Sequence, residues 1–277
     1  MIPQVLRGRN QIGGNLIQVT CGGTKILLDA GETLEGDATI PLQAAWLTES
    51  GGCDALFLTH THRDHMGLAE QAHPDIPLYL GRRAWDVLRA ANDYLGRQTL
   101  TPAGFLEHRR PVQVGELTVT PYLCDHSAFA SYMLLVEGGG QSLLYTGAFR
   151  GHGRKSYDAL LRQLPEQVDF LVCEGTNLSR QGQKIWDEKT LESRAADWME
   201  RCQGPVFVMQ AATNLDRLVS FYRAAARSGR IFLEDLYQAE AACAAGPSIP
   251  QPGRFSNVRV FLPARVAAEN SRYQRFC

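Results

Sequence analysis

The chain has 277 residues, 44% hydrophobic and 21% charged, with a formal net charge of −1. That is enough apolar material for a sizeable core, and the near-neutral balance gives no global basic field of the kind that marks nucleic-acid binding. The N-terminus MIPQVLRGRNQIGG lacks a basic-then-apolar leader pattern, and no window reaches the roughly 18 apolar residues of a membrane span. Seven cysteines form an odd set without a C-x-x-C pair, which fits buried free thiols better than a disulfide framework. The expectation is a cytoplasmic globular protein.

In chain order, NLIQVT and KILLDAG read as strands joined by the glycine turn CGGTK. CDALFLT is a continuous apolar run, expected of a strand covered on both faces. IPLYLG repeats that pattern, and RRAWDVLRAANDYL then shows helical spacing. ELTVTPYLCD, SYMLLVEGGGQSLLYTG and VDFLVCEG supply further strands, the middle one a hairpin. Residues 1 to about 180 are therefore strand-dominated with inserted helices, an α/β layered domain. DEKTLESRAADWMERC reads as a helix with an acidic first turn. GPVFVMQA, NLDRLVSFYRAAARSG and RIFLED then predict a strand, a helix and a strand in one small parallel sheet. Thr213 or Asn214 is the expected cap of that helix. AACAAGPSIPQPGRFSN looks loop-like, and VRVFLP is a last strand candidate.

LFLTHTHRDHMG places three of the chain's seven histidines between His60 and His65. Alternation after a strand throws His60 and His62 to one side, where two imidazoles can share a cation, with Asp64 and His65 placed for a second. Imidazole with carboxylate is a ligand set for zinc and similar divalent ions. Such a cation lowers the pKa of a water and can clamp a phosphoryl oxygen.

H-x-H-x-D-H followed by Gly67 resembles the signature of the metallo-β-lactamase superfamily. KILLDAG resembles its first motif, with Asp29 supporting the metal loop, and LCDHSAFASYMLLVE resembles the segment carrying a third histidine, here His126. LLYTGAFRGHGRK is similar to the T-G-D-F-R segment of the ribonuclease J-like branch, and VCEGTN to the acidic motif that opens a β-CASP insertion. The resemblance implies an αββα sandwich over residues 1–180 and a partial β-CASP-like α/β segment over 181–277. It implies that His60, His62 and His126 hold one metal, and that Asp64 and His65 contribute to a second. Asp64 would also orient the attacking water. The implied metal is zinc, one ion in this chain and two in a complete site, with manganese as an alternative.

Two departures matter. Ala148 stands where the family has a bridging aspartate, and a methyl group cannot coordinate a cation. No histidine follows His152, whereas the family supplies a late one. His152 itself looks like part of a surface loop rather than a substitute ligand. An engineered change, natural decay and a one-metal lineage all account for Ala148. Glu174 and Thr176 read either as substrate-side residues or as a helix-entry cap, and His152 and Arg154 either as contacts to an RNA backbone or as a solvated loop. The implied activity is hydrolysis of an RNA phosphodiester, impaired in this form. The alternatives are a disabled binding protein for RNA or a partner, and a hydrolase of small esters or thioesters. RNA and a second copy of the chain are the candidate partners, and a membrane is not.

Overall fold

The computed structural model describes residues 1–34, 47–178, 182 and 185–264. The chain divides into two compact units. One contains residues Met1–Trp85, Leu100–Gly151 and Lys155–Gln183, the other Asp86–Thr99, His152–Arg154 and Lys184–Cys277.

In the first unit, β1 (Ile2–Arg7), β2 (Leu16–Cys21) and β3 (Thr24–Leu28) run antiparallel. Next in the same sheet are β4 (Ala55–Phe57), β5 (Leu78–Gly81) and β6 (Gly104–Leu106), all parallel. Between β4 and β5 lies the short helix α1 (Arg63–Met66), and β5 leads into α2 (Arg82–Leu95). The second sheet has the order β11-β10-β9-β8-β7. Its strands are β7 (Val112–Val114), β8 (Leu117–Leu123), β9 (Tyr132–Gly138), β10 (Gln141–Tyr145) and β11 (Phe170–Val172). Only β10 and β11 pair in parallel, and α3 (Tyr157–Leu161) lies on the connection between them.

The core lies between these sheets. Ile17, Val19, Ile26, Leu28 and Phe57 from the first meet Leu117, Val119, Leu134, Val136 and Leu143 from the second, all buried. Burial of this many branched side chains, each contributing about 1.5–3 kcal/mol, fixes the strand registers. It also fixes where each strand ends. The polar motifs identified in the sequence follow directly from the ends of β3, β4, β8 and β10.

In the second unit α4 (Glu188–Arg201) packs on α5 (Leu215–Arg227) through Ala195, Ala196, Met199, Ala224 and Ala225. Asp187 caps α4 and Asn214 caps α5, so of the two expected residues Asn214 does the capping. Two sequence expectations fail here. Residues 204–211 form no strand, because no described strand pairs with them and β-propensity acts only through a paired, half-buried surface. Phe207 stays 94% exposed as a result. The supposed loop after Gln238 instead begins as a helix, α6 (Leu236–Ala245). Asp235 accepts the Gln238 N–H as its cap, alanines of high helix propensity fill it, and Gly246 at φ 118° ends it. The parallel pair is accordingly β12 (Phe232–Glu234) with β13 (Val258–Val260), crossed over by α6 rather than α5. The expected thiol burial holds for Cys21, Cys53 and Cys124, while Cys173 and Cys202 are exposed.

Candidate metal centre

Asp29 organises the site. It follows β3 with φ at 56°, a left-handed conformation that aspartate tolerates better than most residues. Its buried carboxylate accepts the Thr59 N–H at 2.7 Å, the Thr59 hydroxyl at 2.8 Å, the Tyr145 hydroxyl at 2.7 Å and a proton from His65 Nδ1 at 2.6 Å. Because Asp29 accepts throughout, His65 carries its proton on Nδ1, and its Nε2 takes a bond from the Asn15 amide at 3.0 Å. Burial disfavours a charge on His65, but Asp29 outweighs it and raises its pKa.

The same reasoning orients His60. The single Thr59 hydroxyl proton goes to Asp29, so the Thr59 oxygen accepts from His60 Nδ1 at 3.0 Å. The lone pair of His60 then sits on Nε2, which is buried and has no hydrogen-bond partner. A buried polar atom in that state costs about 1–3 kcal/mol unless something meets it. Two other imidazoles converge there, with His62 Nδ1 and His126 Nε2 3.2 Å apart. One ligand atom each from His60, His62 and His126 falls within a 4.8 Å span, and the same holds for His60, Asp64 and His65. Both triads need His60, whose one unpartnered nitrogen can serve only one cation.

Burial, then neighbouring imidazoles, hold the pKa of His60 well below its ordinary value. Burial likewise lowers His62, and with nearby imidazoles and Arg150 it pushes His126 down to about 3. Three neutral imidazoles with their ring nitrogens gathered within 4.8 Å are the donor set of a divalent cation. The first triad therefore fits a metal. The second fits poorly, since His65 Nε2 is already paired and Ala148 offers no donor.

Asp64 and His65 sit in α1, with the His62 carbonyl accepting the His65 and Met66 N–H groups. The loop is tied to its surroundings by backbone bonds from Ala30 N–H to His65 O, Glu32 N–H to Arg63 O and Asn15 N–H to Asp64 O. A Cβ on Gly31 would overlap the Asp64 carbonyl oxygen, so this crossing requires glycine. Arg63 grips Glu32 with two guanidinium nitrogens and Glu70 with a third bond. His126 is steadied from the other side. Arg150 donates its backbone N–H to the Asp125 carbonyl at 2.8 Å and pairs with the buried Asp125 carboxylate at 3.3 Å.

Ala148, Glu174 and Thr176 join Asp64 and His65 around one cavity of about 650 Å³. Glu174 caps no helix. It accepts the Phe149 N–H at 2.9 Å and its own N–H donates to Thr146, which holds the loop carrying Ala148. His152 and Arg154 belong to the second unit. The Arg154 guanidinium is committed to Glu192 at 2.7 Å, Ser220 at 2.8 Å and the Asp216 carbonyl, so of its two readings, an RNA-backbone contact or a solvated loop, the solvated one does not hold for this side chain. Sequence reasoning missed Asn15, Glu32, Thr59, Arg63 and Tyr145. Thr59 and Tyr145 carried the one usable signal, a hydroxyl at the end of an apolar strand.

Residues 24–209 match a family model described as a beta-lactamase superfamily domain. Ribonuclease J of Sinorhizobium meliloti is 24% identical over 219 residues, 74% of this chain and 39% of that protein. Ribonuclease J of Mycobacterium tuberculosis is 26% identical over 246 residues, 81% of this chain and 42% of the relative. The chain thus spans less than half the length of these curated relatives. A protein of unknown function from Enterococcus faecalis V583 has the same fold, with a TM-score of 0.77 at 18% identity over 98% of this chain and 72% of that one.

Proposed function

The chain belongs to the beta-lactamase superfamily, as a metallo-hydrolase of ribonuclease J-like type, and on that premise we propose that it is a one-metal phosphodiesterase acting on RNA. The observation that carries the proposal is the buried, unpartnered Nε2 of His60 beside the converging nitrogens of His62 and His126. Those three residues would hold the cation, zinc in the first instance and manganese as the alternative. When bound, the cation supplies Lewis-acid activation of a water and of the phosphoryl group.

The remaining roles fall to the chain itself. Asp64, half-buried on the cavity wall, orients the attacking water and takes its proton. Asp29 and Thr59 keep the ring of His60 turned with Nε2 inward, the hydrogen-bonded support that metal-ligating histidines require. Asp29 and Asn15 do the same for His65. RNA as substrate is carried over from the ribonuclease J relatives, while the sequence motifs carry the reading of residues 1–180 as a metallo-β-lactamase-like domain and 181–277 as a partial β-CASP-like α/β segment. The α4–α5 pair and the β12–α6–β13 crossover support that second assignment.

Ala148 makes turnover slow. It also favours a second reading, a relative that holds RNA without cutting it. Elemental analysis of purified protein together with an RNA cleavage assay separates the two. One zinc per chain with slow, chelator-sensitive cleavage is the expected result. No zinc, with RNA binding indifferent to chelator, would hand the case to the binding protein.

A further inference from the structure

Between β1 and β2 the chain makes the turn Gly8–Asn15, a segment the sequence motifs left without a role. It forms one wall of the cavity beside Asp64 and His65, to which it contributes Gly8, Arg9, Gln11, Ile12, Gly13 and Asn15. Gly8, Gly13 and Gly14 all have φ between 69° and 91°. At Gly13 this lets the turn lie against Asp64, where a Cβ would meet the Asp64 Cβ at 2.8 Å. The turn is pinned by Asn15 N–H to the Asp64 carbonyl at 3.0 Å and by the Gln11 amide to the Gly13 carbonyl at 3.2 Å.

The charges around this cavity are unevenly placed. Asp64 and Glu174 are carboxylates, and among the described lining residues Arg9 is the one arginine or lysine. Arg9 is exposed, and no described acidic residue pairs with it. Neighbouring Arg63 and Arg150 are both engaged with carboxylates. Four residues separate Arg9 from Gly13, a reach of at most about 14 Å of backbone from the Asp64 contact. The guanidinium thus stands within a few nucleotides of the catalytic end. A polyanion entering the cavity is repelled by Asp64 and Glu174 except where a cation offsets them. Ile12, Leu171 and Leu178, exposed apolar residues of the same cavity, offer contact to bases without sequence choice.

We propose that Arg9 is a substrate-binding residue that holds a backbone phosphate of single-stranded RNA flanking the bond to be cleaved. The proposal rests on the RNA reading above and extends it to a subsite outside the metal centre. Arginine suits the task because its planar fork matches a phosphate and never loses its charge.

The test is fluorescence anisotropy of a labelled RNA decamer on the zinc-loaded full chain across a salt series, for the native protein, Arg9→Gln and Arg9→Lys. Arg9→Gln is expected to weaken binding three- to tenfold at low salt. It should flatten the slope of log K against log salt by about 0.7, the loss of one phosphate contact on a single strand. Arg9→Lys should keep that slope, and zinc content should be equal in all three. Unchanged affinity and slope in Arg9→Gln would overturn the subsite while leaving the RNA reading intact. Loss of zinc in Arg9→Gln would overturn it too, because the residue would then act through the fold. Failure of the native protein to bind the decamer would sink the RNA reading itself.

Discussion

Among the described buried polar groups that lack hydrogen-bond partners, His60 and Glu234, one in each unit, have opposite explanations. His60 Nε2 in the first unit faces two other imidazole nitrogens, and Thr59 and Asp29 hold its proton on the far side of the ring. Glu234 in the second has both carboxylate oxygens unpartnered, and among the described residues it joins no cluster of metal-ligating groups. Burial, then Asp235, pushes its pKa up to about 8, so at neutral pH the group keeps its proton. An orphaned buried atom points to a cation only where other lone pairs converge on it. Standing alone, a carboxylic acid solves the same problem by staying neutral.

The largest effect is expected from breaking the support of His60. Asp29→Ala removes the acceptor of four donors at once, leaving the Thr59 and Tyr145 hydroxyls and His65 Nδ1–H buried without partners. Unfolding free energy should drop by about 3–5 kcal/mol, and zinc affinity by about tenfold to a hundredfold in whatever folds. Chemical denaturation and a competitive zinc titration measure the two separately. Native-like zinc affinity in a folded Asp29→Ala protein would mean that the direction of the His60 lone pair does not depend on this chain of bonds.

A smaller change sharpens the contrast within the first unit. Ala148→Asp adds a carboxylate to the wall shared by Asp64 and His65. Zinc per chain should rise from one to two and RNA cleavage should increase, with Asn15 yielding His65 Nε2 to the new ion. Equal zinc in both forms would place the deficiency elsewhere than at residue 148.

How much of this was legible beforehand depends on how local each determinant is. Strands β2–β5 and β8–β10 were readable because each is apolar and largely buried, and β9 keeps five consecutive buried residues, whereas β1, β6 and β7, with little or no buried surface, went unread. His60, His62 and Asp64 announce themselves through spacing. Their supports do not, because Tyr145 reaches Asp29 across 116 residues and Asn15 reaches His65 across 50. Nothing local marks a tyrosine or asparagine as a partner at that separation. The second unit misled in the opposite way. Val206, Phe207, Val208 and Met209 have the composition of a strand but no described strand to pair with, and the alanines of α6 look like a loop until Asp235 caps them.

The smallest effect tests the other member of the comparison. If Glu234 is neutral because it stands alone, its proton must be linked to folding. The unfolded chain releases that proton near the ordinary value of 4.5, and the folded chain holds it to about 8. Between those limits the native state binds more protons than the unfolded one, so stability is full below about pH 4.5 and falls as pH rises towards 8. Glu234→Gln, which cannot ionise, should match the native protein near pH 5 and exceed it at pH 8 by on the order of 1–3 kcal/mol. Thermal unfolding of both proteins across that range reads the difference directly. Parallel stability curves would mean that Glu234 ionises in place, and that the second unit holds a counter-charge for it after all.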